Sequence, residues 1–214
     1  MKIQTFAVGP LQENSYLVID EAAGRAVFVD PGDEPERLLR ALDESGADLE
    51  AIWLTHSHMD HVGAIAGIVR RYPVPILVHP AGIPVYQGAA EHARYFGLEI
   101  EQPPPAEGTL QEGDTLSVGD TRFQVIHTPG HEPGHVVIFG NGVAFVGDCL
   151  FAGSVGRTDL PMASGPELAH SLERIVALGD DVKVYPGHGP ATTIGHERRH
   201  NPFLNGSVRI AGAS

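Results

Sequence analysis

Four polar residues that could share a metal, His56, His58, Asp60 and His61, fall within six positions of the stretch Ala51–Gly63, AIWLTHSHMDHVG. Histidine is the commonest protein metal ligand, and imidazole combined with carboxylate suits zinc, iron, manganese or nickel. The residues leading into the cluster, Ala51, Ile52, Trp53 and Leu54, have the composition of a buried strand. Those after it, Val62, Ile65, Ala66 and Val69, recur at helical spacing, so a helix is expected to begin around Asp60. The cluster thus occupies a strand-to-helix turn, where side chains can converge without breaking either element. The alternative is a histidine-rich surface loop. It is the weaker reading, because functional groups concentrate where loops leave a rigid scaffold.

Three later strands also end in a metal-type residue beside glycine: His131 in His127–His131, Asp148 after Gly147, and His188 between Gly187 and Gly189. Glycine permits the tight backbone geometry that lifts such a side chain off a sheet end. This makes seven candidate ligands: His56, His58, Asp60, His61, His131, Asp148 and His188. One tetrahedral site cannot use them all. Two neighbouring metals can, particularly if Asp148 gives an oxygen to each. Asp30, in Asp30-Pro31-Gly32, reads equally as a turn residue bonding its own backbone or as a carboxylate bracing the histidine loop. His79 and His127 read as structural and His135 as a brace for the His131 turn. His92, His170, His196 and His200 read as surface residues. Cys149, beside Asp148, reads as a small buried residue, with no basic partner to make it a nucleophile.

The elements that position these residues alternate. Ile3–Val8, Tyr16–Ile19 and Ala26–Val29 are β-rich runs, split by Gly9-Pro10, Glu13-Asn14 and Ala23-Gly24. A helix is expected from Pro35 to a stop at Gly46, a second over Val62–Arg71, and a strand over Ile76–His79. Ala81–Glu101 is weakly patterned and partly helical. Its Tyr86, Tyr95 and Phe96 read as core or helix-packing residues, with a pocket wall as the alternative, and Pro103–Pro105 as an extended crossing between two halves of one domain spanning residues 1–214. Two hairpins follow, Thr115–Val118 with Arg122–His127 and Val136–Phe139 with Val143–Val146. The helix Pro166–Leu178, the strand Val182–Tyr185 and a short helical tail from His196 complete the chain. This rhythm predicts α/β layering, with two sheets face to face and helices outside.

Composition narrows the function. The net charge of −13 argues against a nucleic-acid surface, which would need clustered Lys and Arg. A single cysteine forbids an internal disulfide and suits a reducing compartment. No uncharged apolar run reaches the ~18 residues of a membrane span, and the N-terminal run lacks the form of a signal peptide. A cytoplasmic protein with no membrane partner is the expectation. The sequence leaves oligomeric state open.

The series His56-x-His58-x-Asp60-His61, His131, Asp148 and His188, with Asp30, resembles the ligand set of the metallo-β-lactamase superfamily. That resemblance spans nearly the whole chain and implies a four-layer αββα sandwich with the site at one edge of the sheets. Thr128–His131, Gly147–Phe151 and Gly187–Pro190 are similar to the type II glyoxalases, which are hydroxyacylglutathione hydrolases. The block Gly153–Pro161 and the tail Asn201–Leu204 resemble their short bacterial subgroup. The resemblance implies two divalent ions, zinc first, with iron and manganese accepted by the same donors. His56, His58 and His131 would hold one, Asp60, His61 and His188 the other, and Asp148 would be shared. Asp60 would also orient the attacking hydroxide, and a small thioester such as S-lactoylglutathione would be the substrate. Longer glyoxalases carry a C-terminal helical extension and a Lys- and Tyr-containing segment where this chain has Arg157-Thr158-Asp159. Arg157 is therefore either a carboxylate-binding residue for substrate or the partner of Asp159. Persulfide dioxygenases resemble the chain too and share the Gly-Arg-Thr-Asp stretch. They imply one iron on His56, His131 and Asp148. A nuclease on the same fold is a third reading, disfavoured by the charge.

Overall fold

The computed structural model describes residues 1–213. The first half runs β1 (Lys2–Val8), β2 (Glu13–Asp20), β3 (Arg25–Val29), α1 (Pro35–Ser45), β4 (Asp48–Trp53), α2 (Met59–Val62), α3 (Ile65–Arg71), β5 (Ile76–Val78), α4 (Ile83–Gln87), α5 (Ala89–Tyr95) and β6 (Gly108–Thr109). The second runs β7 (Thr115–Val118), β8 (Thr121–His127), β9 (Val136–Gly140), β10 (Val143–Gly147), β11 (Leu150–Phe151), β12 (Ser154–Val155), α6 (Gly165–Val176), β13 (Lys183–Pro186), β14 (Thr192–Thr193) and α7 (Ile194–His200). One sheet has the order β1-β2-β3-β4-β5-β6, the other β14-β13-β10-β9-β8-β7, and β11 and β12 form a small hairpin of their own.

Alternation along the strands builds the layers. In β2, Tyr16 and Val18 point between the sheets, while Leu17 and Ile19 point outward to helices. The outward set packs on Leu38 and Leu42 of α1 and on Ile65 and Ile68 of α3. Between the sheets, Trp53 meets Phe123 edge-on at 5.7 Å and Tyr16 meets Phe145 at 5.2 Å. Behind the second sheet, Ala144, Val146 and Val184 pack on Leu168, Leu172 and Ile175 of α6. Each such aliphatic side chain withdrawn from water contributes about 1.5–3 kcal/mol. The three apolar layers therefore fix the order helix, sheet, sheet, helix, and the expected αββα sandwich is what forms.

Several details depart from the sequence reading. The single helix expected over Val62–Arg71 is two, α2 and α3, because the Ala64 N–H donates to the Pro31 carbonyl instead of continuing the helical ladder. Glu13 and Asn14, read as a break between runs, are the buried start of β2. Helix α6 starts at Gly165, capped by the Ser164 hydroxyl. The strands β6, β11, β12 and β14 are each two residues long and leave no periodic signal. Asn141 and Gly142, both at positive φ, make the tight β9–β10 turn that their types predict. Among the described residues no helix is long and apolar enough to cross a membrane.

Candidate metal centre

The seven candidate ligands meet at one edge of the sandwich, at the ends of β4, β8, β10 and β13 and the start of α2. His56, His58 and His131 form one group whose ligand atoms lie within 4.8 Å of one another, and Asp60, His61 and His188 form another. In the first, His131 Nε2 and His58 Nδ1 stand 2.9 Å apart. In the second, His188 Nε2 lies 3.3 Å from Asp60 Oδ2. Asp148 lies between the groups. Its Oδ1 is 3.4 Å from His61 Nε2, and its Oδ2 is 3.6 Å from both His131 Nε2 and His188 Nε2.

The donor set fits divalent metal. His56 Nε2, His61 Nε2 and Asp148 Oδ1 are buried and have no hydrogen-bond partner, an unfavourable state for polar atoms that a bound cation would relieve. The opposite ring nitrogens are held by neighbours, which fixes the tautomer that leaves the ligating nitrogen free. His61 Nδ1 faces Asp30 Oδ2 at 3.1 Å, His56 Nδ1 faces the Thr55 hydroxyl at 3.2 Å, and His131 Nδ1 donates to the Arg157 carbonyl at 2.9 Å. The electrostatics are those of a charged hole. Burial pushes the Asp148 carboxyl up, but His61, His131 and His188 outweigh that and hold it well below its ordinary range. Burial likewise works against a charged His61, yet Asp148 and Asp60 raise it well above the ordinary histidine value.

The residues around the ligands resolve several open readings. Of the two roles considered for it, Asp30 takes the bracing one, since its carboxylate bonds Thr55 and His61 and not its own backbone. It sits at a turn with φ of +49°, and its carboxylate takes the Thr55 backbone N–H at 2.7 Å while facing His61. With both oxygens so engaged, Asp30 is a brace, although it neighbours His56 and His61 closely enough to form a third cluster. His135 holds the Asp148 backbone N–H on its Nε2 at 3.2 Å and meets the Thr128 hydroxyl at 2.8 Å through Nδ1. His79 and His127 stack on each other at 4.1 Å, away from the ligands. Cys149 is buried, and burial together with Asp148 pushes its thiol pKa up, so it is not a nucleophile. Gly187 is required by close approach: a Cβ there would overlap Asp148 Oδ1 and the His61 ring.

A cleft of about 440 Å³ opens over the ligands, walled by Leu11, Met59, Phe96, Phe151, Val155 and Leu160. His92 lines it too, with its ring 5.9 Å from that of His58, which corrects its reading as a surface residue. Phe96 likewise faces the cleft and Tyr95 is 84% exposed, so of the three aromatics only Tyr86 is a core residue. Arg157 lines the cleft while its Nε and Nη2 donate to Asp159 at 2.6 and 2.8 Å. Sequence reasoning missed Glu13, a buried carboxylate 3.6 Å from His61 Nδ1, because its partner lies far along the chain.

The comparisons agree with this geometry. Residues 8–193 match the profile of the "Metallo-beta-lactamase superfamily". The chain is 38% identical over 210 residues to "Hydroxyacylglutathione hydrolase GloC" of Haemophilus influenzae, covering 96% of this chain and 99% of that protein. It superposes on the crystal structure of TTHA1623 "in a di-iron-bound form" with a TM-score of 0.87 and 47% identity, over 94% of this chain and 100% of that one. It also superposes on ETHE1 from Myxococcus xanthus with a TM-score of 0.82 and 29% identity, over 96% and 85% of the two chains. A His/Asp cluster built for metal, on this fold and with this profile, places the chain in the metallo-beta-lactamase superfamily, as one of its metallo-hydrolases.

Proposed function

We propose that this protein is a thioester hydrolase of the hydroxyacylglutathione hydrolase kind, working at a two-ion site. The observation that carries the reading is the position of Asp148, with one oxygen toward His61 and the other toward both His131 and His188. A carboxylate so placed can serve two ions at once, with one three-residue group for each. The likeness to GloC supports the substrate class. His56, His58 and His131 would hold one divalent ion and Asp60, His61 and His188 the other, and the chemistry such a pair would supply is acidification of water and polarisation of an acyl oxygen.

The chain's own groups account for the rest. Asp60 is half-buried on the floor of the cleft. Burial raises its carboxyl pKa, but His61 and His188 lower it further, so it stays ionised and can accept a hydrogen bond from the attacking water. Asp30 and His135 hold the ligands still, which keeps the reacting groups in place before substrate arrives. The apolar wall of Leu11, Met59, Phe96 and Phe151 excludes bulk water from the acyl group and strengthens the electrostatics within. A thiolate is a good leaving group, so no strong general acid is needed.

The stretch Gly156-Arg157-Thr158-Asp159, which resembles that of persulfide dioxygenases, favours a second reading, oxidation of a persulfide at one iron. Incubation with S-lactoylglutathione and, separately, with glutathione persulfide under oxygen separates the two. Loss of thioester without oxygen uptake is the expected result. Oxygen consumption without thioester loss overturns the hydrolase reading.

A further inference from the structure

We propose that Asn14 is the positioning residue for His188 and thereby sets whether the site holds two ions or one. This inference rests on the two-ion reading above. His188 sits on the loop after β13, in the second sheet, whereas Asn14 opens β2, in the first. The Asn14 backbone N–H donates to the Gly187 carbonyl at 2.7 Å. Its side-chain Nδ2 donates to the Pro186 carbonyl at 3.0 Å and to the Gly189 carbonyl at 2.8 Å. One residue therefore grips the chain on both sides of His188, and Glu13 pairs with His188 itself as an isolated bridge. The Tyr16 hydroxyl adds a bond to the Pro186 carbonyl at 2.6 Å.

The clamp is specific to one ligand. His61 and His131 have their Nδ1 atoms fixed by Asp30 and by the Arg157 carbonyl. Among the described residues no such partner holds Nδ1 of His188, whose ring is flanked by the rings of His61 at 5.7 Å and Phe151 at 6.1 Å and by the carboxylates it would share a metal with. Its direction is thus set by its backbone, and the backbone is set by Asn14. Asn14 is 5% exposed, so water cannot replace its amide readily. The group of His56, His58 and His131 makes no contact with this clamp. Loosening Asn14 should release the second ion and spare the first.

The test uses the full-length metal-free protein and zinc alone. Stepwise affinities are measured by competition with a chromogenic chelator, and bound metal is counted after dialysis, for the wild type, Asn14→Ala, Tyr16→Phe, His188→Ala and the Asn14→Ala/His188→Ala pair. Two ions are expected for the wild type. Asn14→Ala should weaken the second by about 10–100-fold while leaving the first within about threefold, the range seen when a ligand's outer-shell support is lost. Tyr16→Phe should weaken the second severalfold, and the double variant should bind no worse than His188→Ala. Equal loss of both ions in Asn14→Ala marks a general structural role and overturns the proposal, as does retention of both. If Asn14→Ala does not fold, Tyr16→Phe decides: selective weakening supports the clamp, and wild-type affinities overturn it. A wild type that binds one ion removes the two-ion reading itself, a different failure.

Discussion

The floor of the cleft and its outer wall are built on opposite terms. On the floor, His56, His58, His61, His131 and Asp148 are all buried, and each enters from the end of a strand or the start of α2. On the wall, Tyr95 is 84% exposed and Phe96 46%, and the Arg157–Asp159 pair stands in solvent. Floor geometry is held by buried hydrogen bonds that water cannot replace, whereas wall geometry rests on short helices and an exposed ion pair. The candidate ligands thus lie in the buried part of the molecule and the cleft's outer residues in the exposed part, a division in which the wall can change without disturbing the floor.

The sharpest way to break this contrast is Asp148→Ala. It removes the carboxylate that faces three histidines, and the hydrolytic rate should fall by about three orders of magnitude, or about 4 kcal/mol of barrier. Steady-state kinetics and metal content measured together check this. Asp30→Ala touches no ligand atom but frees Thr55 and His61, so metal affinity should drop about 10–100-fold in chelator competition. A drop of less than about twofold would mean that the floor needs no bracing.

Glu132 tests the floor from its weak point. It is buried, its carboxylate oxygens have no hydrogen-bond partner, and burial pushes its pKa from 4.5 to about 7. The folded state thus holds this proton more tightly than the unfolded state does. Its stabilising effect is full below about pH 4.5 and is lost as pH rises through about 7. Glu132→Gln should therefore make the metal-free protein more stable than the wild type at pH 8, by about 1–3 kcal/mol, with the gap closing toward pH 5. Denaturant melts at the two values read it directly. The smallest effects belong to the wall. Asp159→Asn breaks an exposed pair worth about 0–1 kcal/mol, so the melting midpoint and metal content should hardly move. If Arg157 binds a substrate carboxylate, freeing it should lower KM for an anionic thioester severalfold.

The same division explains what the sequence could tell. The His56–His61 turn is legible because four metal-type residues crowd one strand-to-helix junction, and Asp148 and His188 because glycine flanks each at an apolar strand's end. Periodicity exposes the long strands and helices, since burial on one face imposes it. Glu13 and Asn14 look like turn residues because their partners, His61 and the His188 loop, lie far away in the chain. The break between α2 and α3 comes from the Pro31 carbonyl, again a distant group. His92 and Phe96 lie in a segment without clear periodicity, so nothing in their spacing marks them as cleft residues.

The bonds from Asn14 to Pro186 and Gly189 join residues 172 and 175 apart, nearly the full span of the chain. Contacts of such separation form late, because the loop they close is entropically costly and few partial structures favour it. β2 takes its register from β1 and β3, its neighbours in sequence, whereas the Asn14 amide finds its partners only once the loop around residue 188 has been made. The His56, His58 and His131 side chains all lie within the first 131 residues, but the carbonyl that orients His131 belongs to Arg157 and the carboxylate between the groups to Asp148, so neither half of the centre is complete until the second sheet is in place.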